Sequence, residues 1–218
     1  MAPFKFFDHI SKQYIWGQQL VCTIIEYRGI VIPYGIEIYI PKDTAETNGY
    51  EFKKKTQIGL EILKGFEVDQ RQEVFVVVDT YYASPSIMKV SRKLKYNFVS
   101  MLKTNRILNV SEEQINVSRY TKKYFSNRSK KKILKIGSNR YQIHSQVVRL
   151  KNGGAVKLVC KRSLSHRTVK TIFTTNTALP VESIVTAYSK RWSIEIFFKM
   201  SKQHLGLRAY QIRNLEVT

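Results

Sequence analysis

Two β-rich runs, Gln19 to Glu26 (QLVCTIIE) and Ile30 to Ile40 (IVIPYGIEIYI), flank the triplet Tyr27-Arg28-Gly29 and predict an antiparallel hairpin. Between about Gly49 and Gly65, Ile58, Leu60, Ile62 and Leu63 recur among lysines, the pattern of a helix ending at the glycine. Val74 to Val78 is unbroken apolar, as in a central strand covered on both faces, with Asp79 at its carboxyl end. Ser84 with Pro85 opens a further helix to about Lys95, and Tyr96 to Leu102 reads as another strand.

From about Asn105 to Asn176 the pattern shortens to alternating runs with turns. Tyr141 to Leu150, Ala155 to Cys160 and Val169 to Thr175 predict strands, with Asn152-Gly153-Gly154 as a hairpin turn. Pro180 then opens a long helix closed by Gly206, with a break expected near Ala187 to Ser189. The pattern divides the chain into 1–104, a β-rich insertion over 105–176, and a helical part over 177–218.

Charge changes what that insertion means. The 218 residues carry a net charge of +21, which points to a polyanionic partner. Between Glu113 and Glu182 there is no acid, and that interval holds 16 Lys or Arg, densest at Lys130, Lys131 and Lys132. Such a run also suits a solvated face or an acidic lipid surface, but no long apolar segment accompanies it. Nucleic acid is the better fit. MAPFKFFDHI has no sustained apolar run of a secretory signal, and no stretch is long enough to span a bilayer, so a soluble cytoplasmic protein without a membrane partner is expected. Cys22 and Cys160 lie far apart, without zinc-like spacing, and the four histidines are scattered, so small strand residues and no imidazole metal site are expected.

The long helix carries the candidate chemistry. In AYSKRWSIEIFFKMSKQHLGL, the residues Tyr188, Arg191, Glu195 and Lys202 are spaced Y-x2-R-x3-E-x6-K. At about 100° per residue they fall near roughly 0°, 300°, 340° and 320°, one narrow stripe. The remaining circumference is largely apolar (Trp192, Ile194, Ile196, Phe197, Phe198, Met200, Leu205), which predicts packing on most sides. A polar strip on an ordinary amphipathic helix accounts for the stripe equally well. Glu195 also suits an ion pair with Arg191 or Lys199, and Asp79 suits a cap on its following turn. Taken with a basic surface, two carboxylates on separate elements suggest phosphodiester cleavage at a two-metal site, with Arg191, Lys202 and Tyr188 gripping phosphates.

These residues resemble a named group. The Tyr188, Arg191, Glu195 and Lys202 spacing, with RWSIEIFFKMSKQHLGL around it, resembles insertion-sequence transposases of the DDE, ribonuclease-H-like superfamily that carry the Tyr-Arg-Glu-Lys signature. VFVVVDTYYAS is similar to that group's segment for the second catalytic Asp, and FFDHISKQYIWGQQLV and TTNTALPVESIVTAYS also resemble its text. The resemblance implies an α/β fold: a ribonuclease-H-like mixed sheet flanked by helices, with a β-rich insertion before the helix that carries the catalytic Glu. It implies Asp79 and Glu195 as catalytic metal ligands for two Mg²⁺ or Mn²⁺ ions. It also implies metal-dependent cleavage and strand transfer at terminal inverted repeats, with double-stranded element and target DNA as partners, a homodimer in the active complex, and a place on a prokaryotic nucleoid. Trp192 becomes a candidate for stacking on a flipped base, although its position on the helix also suits the core.

One ligand is not matched. The resemblance implies a first Asp on a strand ahead of the hairpin, and the matching text begins downstream of it. Asp8 aligns with a later position, while Asp43 and Asp69 fall in connecting segments. A truncated product with incomplete metal binding is therefore expected, as is an unpaired strand edge where the first strand belongs. A non-catalytic DNA-binding remnant, acting as a dominant-negative regulator, is the competing reading. An unrelated basic β-rich nucleic-acid-binding protein is a third.

Overall fold

Alternation sets the first two elements. In β1 (Phe4–Asp8) and β2 (Gln13–Gly17), paired antiparallel, Phe4 is buried while Tyr14 and Trp16 face outward. Neither strand was expected from the pattern. The next hairpin was: β3 (Gln19–Tyr27) and β4 (Ile30–Tyr39) join through Arg28 and Gly29. Their φ values of 51° and 84° give the two-residue turn whose twist matches the strands. The computed structural model describes residues 4–8, 11–69, 71–126, 132–151, 154–164 and 168–207.

The helix expected from Gly49 to Gly65 resolves into something different. A short α1 (Lys42–Thr47) precedes it, and Gly49, with φ of 70°, ends that helix instead of leading into the next. The second helix, α2 (Lys55–Lys64), starts later because the Gln57 side chain accepts the Lys54 N–H at 2.9 Å, capping the helix there. Gly65 does cap its end. α2 packs on β3 and β4, where a Cβ at Gly35 would sit 2.8 Å from Ile62 Cγ2, so only glycine admits the helix that close. These elements, with the helix that begins at Trp192, form one compact unit, Met1–Phe66 with Trp192–Thr218.

The other unit, Glu67–Arg191, is built on one large sheet. Its elements are β5 (Phe75–Val78), α3 (Pro85–Lys93), β6 (Asn97–Met101), β7 (Ile107–Val110), β8 (Glu113–Asn116), α4 (Val117–Ser126), β9 (Lys132–Ile136), β10 (Asn139–Leu150), β11 (Ala155–Ser163), β12 (Val169–Thr174) and α5 (Val181–Lys190). Strands run in the order β5-β6-β12-β11-β10-β7-β8, with β9 also on β10. Among the described residues only β5 and β6 pair in parallel, so this is a mixed sheet flanked by helices. Ser84 caps α3 through its Oγ, which accepts the Ile87 N–H at 3.3 Å, and Pro85 sits in the first turn, as the Ser-Pro pair predicts. On one face, α5 lays Ile184 and Val185 over Val99, Ile143, Val159 and Ile172.

Two expectations are corrected here. β5 is not a central strand: among the described residues it pairs only with β6 and lies half-buried at the sheet's edge. Its apolar run comes from parallel pairing with β6 beneath α5, which hides one side without closing the outer edge. The 105–176 segment is also more than strands, because α4 interrupts it, with an apolar face that buries Val117, Tyr120 and Phe125. Of the expected hairpin turn, Asn152 and Gly153 lie outside the described residues.

Candidate functional site

Asp79 follows the last residue of β5, where the chain must leave the sheet. Its Oδ1 accepts the backbone N–H groups of Tyr81 (2.9 Å) and Tyr82 (3.1 Å), and its own carbonyl accepts the Ser100 hydroxyl at 3.2 Å. The acid thus does cap its turn, and the carboxylate is exposed at the strand end. Burial, followed by the Asp79 charge, pushes the Tyr82 phenol up to about 12.

The stripe is divided between two helices. Tyr188 stands in the last turn of α5, its ring packed on the core under that helix. Arg191 caps α5, donating its N–H to the Tyr188 carbonyl at 3.2 Å, with its guanidinium 5.9 Å from the Tyr188 ring centroid. Trp192, Glu195 and Lys202 lie on α6 (Trp192–His204), which ends where Gly206 takes φ of 63°. The expected break is real but falls at Arg191, two residues beyond Ala187 to Ser189, because Arg191 closes α5 with an i−3 bond. Glu195 is half-buried and Lys202 exposed.

α6 also overturns the expected packing. Ser201 is its only fully buried residue, and Trp192 is 59% exposed, with Ile196 and Met200 also outward. The core position for Trp192 is therefore wrong. Amphipathic spacing identified the helix, but its apolar side chains outnumber the neighbours that cover them.

The basic surface gains residues that the sequence did not single out. Lys130 and Lys131 lie outside the described residues, while Lys132 opens β9, exposed. Register places Lys132 opposite Ile143, Ile143 opposite Lys161, and Lys161 opposite Lys170. Directly opposed residues share a sheet face, so Lys132, Lys161 and Lys170 lie on one face, with the buried Ile143 standing between Lys132 and Lys161. Burial first, and then the Lys170 charge, lowers the Lys161 pKa. Like charges held opposite one another are unfavourable until an anion joins them. The alternation of strands β9 to β12 was readable, but their mutual register was not.

A family model described as a transposase DDE domain matches residues 53–218. The chain belongs to that family. No curated protein matches it. The transposase therefore has the large mixed sheet and flanking helices expected of a ribonuclease-H-like domain. No helix among the described residues is long and apolar enough to cross a membrane.

Transposases of this family generally use divalent metal ions. Asp79 and Glu195 offer the hard oxygen donors that Mg²⁺ prefers. Among the described residues, no group of three or more His, Cys, Asp or Glu side chains is placed to hold a metal ion.

Proposed function

We propose that the chain binds the terminal DNA of a mobile element, and that Asp79 and Glu195 are two of the carboxylates serving strand cleavage and transfer there. The observation that carries DNA binding is the shared sheet face of Lys132, Lys161 and Lys170 within an acid-free interval. Lys161 and Lys170 stand on neighbouring strands, about 4.8 Å apart, and Lys132 two strands from Lys161, cations that suit phosphate contacts. Tyr188 and Arg191, at the end of α5, and Trp192 and Lys202, on α6, are assigned to DNA contacts on the family resemblance, and Lys130 and Lys131 on the charge density of the acid-free interval. Membership of the Tyr-Arg-Glu-Lys group, Mg²⁺ or Mn²⁺ as the ions, and a homodimer on paired ends belong to the same proposal.

The second reading is a DNA-binding transposase domain with impaired cleavage, able to occupy element ends and to compete with a complete enzyme. The resemblance, which matches only Asp79 and Glu195 to the family's carboxylates, favours it. One experiment separates the readings: nicking of terminal-repeat DNA by the 218-residue chain in Mg²⁺ or Mn²⁺, with Glu195→Ala beside it. Robust nicking lost in the variant establishes the enzyme. DNA binding with no nicking in either protein establishes the impaired domain. Duplex affinity indifferent to salt sinks both, because phosphate contacts release counterions. Lys161→Ala with Lys170→Ala is expected to flatten the log–log salt slope by about 2.

A further inference from the structure

We infer that the outward face of the β1–β2 hairpin is a stacking platform for the unpaired bases of single-stranded DNA. Lys5 stands opposite Trp16, and Phe7 opposite Tyr14, so these four share one face of the two-stranded sheet. Trp16 is 69% exposed, Tyr14 67% and Phe7 39%. The hairpin's packing is already met on its other side, where Phe4 is buried and the Phe6 ring lies against Gly17. Three aromatics on the remaining face are therefore not core residues, and a surface of that kind marks a binding site.

Geometry and charge select the occupant. Tyr14 and Trp16 alternate along one strand, about 7 Å apart. That is twice the ~3.4 Å step between stacked bases, so one base fits between the rings. The Lys5 ammonium sits 5.5 Å from the Tyr14 ring centroid, and the Phe7 and Tyr14 rings meet edge-on at 5.4 Å. Lys5 on this face supplies a cation beside the rings, the combination that holds single strands without reading sequence. A second copy of the chain, also carrying +21, would meet like charge here.

The inference rests on the DNA-binding reading, and its test keeps the two apart. Affinities of the full chain for an oligo-dT of about 12 nucleotides and for a duplex of the same length are measured by fluorescence anisotropy. Tyr14→Ala with Trp16→Ala is expected to weaken single-strand binding roughly 5- to 100-fold and to leave duplex binding within about twofold. Trp16→Phe, which keeps a ring, is expected to retain most of the single-strand affinity and guards against a misfolded alanine variant. Equal losses on both DNAs in the Phe variant, or unchanged single-strand affinity beside intact duplex binding in the double-alanine variant, overturn the platform alone. If the parent chain binds neither DNA, the DNA-binding reading fails too. Self-association seen by sedimentation in the parent and lost with Trp16 would assign the face to a second copy and overturn the inference.

Discussion

β10–β11 and β3–β4 are the same kind of hairpin in different surroundings. Each runs through nine residue pairs, and β3–β4 is the more apolar of the two in sequence. In β11, Leu158 and Val159 are adjacent, point to opposite faces, and are both fully buried. In β3–β4 Val21 alone is buried, while Ile30 is 62% exposed, Ile32 49% and Ile36 51%. Pairing satisfies the backbone equally in both. Burial comes from what lies beside and across each hairpin: β9, β7 and β12 flank β10–β11 and α5 covers one face, whereas β3–β4 is a two-stranded sheet met by α2 and α6. Apolar sequence therefore marks the capacity for a core, and neighbours decide whether it forms.

The sharpest way to break this comparison is at the middle of the large sheet. Phe173 on β12 is 1% exposed, with its ring 5.6 Å from that of Phe98. Phe173→Ala is expected to cost about 3–5 kcal/mol, measured as a shift in the urea midpoint of the Glu67–Arg191 unit's signal. A loss below about 1 kcal/mol would mean the sheet is no better packed than the isolated hairpin.

A smaller effect is expected at the network between α4 and β10. The Tyr120 hydroxyl lies 2.8 Å from Gln146 Oε1, to which it donates, and 2.9 Å from His144 Nε2, while the Tyr124 ring stacks on His144 at 4.0 Å. Tyr120→Phe leaves these polar groups without that hydroxyl, at about 1–3 kcal/mol. Burial holds the His144 pKa below its ordinary range, with a bond to Gln146 opposing weakly. The unfolded chain therefore takes up the proton first as pH falls. Stability is whole above about pH 6.5 and declines as pH drops from there until the folded ring itself protonates. Thermal melts between pH 7.5 and 5 are expected to show that decline, and His144→Gln is expected to flatten it.

Local chemistry was legible in the chain, while assembly was not. Tyr27-Arg28-Gly29 gave the turn, Ser84-Pro85 the start of α3, and Gly206 the end of α6, because each acts within a few residues. The family was also readable, since the Tyr188, Arg191, Glu195 and Lys202 spacing is a one-dimensional mark. Asp79 was placed correctly at a strand end, but the rank of that strand was not, because an apolar run does not say which sheet edge is paired. The shared face of Lys132, Lys161 and Lys170 was hidden for the same reason: it follows only from register across four strands. The core reading of Trp192 failed because helical angle reports which residues share a face, not whether anything covers it.

The smallest effect is expected at the open hairpin, and it is the most discriminating. Ile32 lies opposite Ile25 near the tip of β3–β4 and is about as β-prone as the threonine that would replace it. Ile32→Thr keeps the β-branched shape while removing one exposed methyl face, so the strand's backbone preference is unchanged. With 49% of the residue in solvent, little transfer energy is at stake, and stability should stay within about 0.5 kcal/mol of the parent. The same substitution at Ile172, fully buried on β12, would place a hydroxyl in the core and cost several times more. If Ile32→Thr instead destabilises the 218-residue chain by more than about 1.5 kcal/mol in urea, the β3–β4 face is covered in solution, and the contrast between the hairpins is one of partner, not of packing.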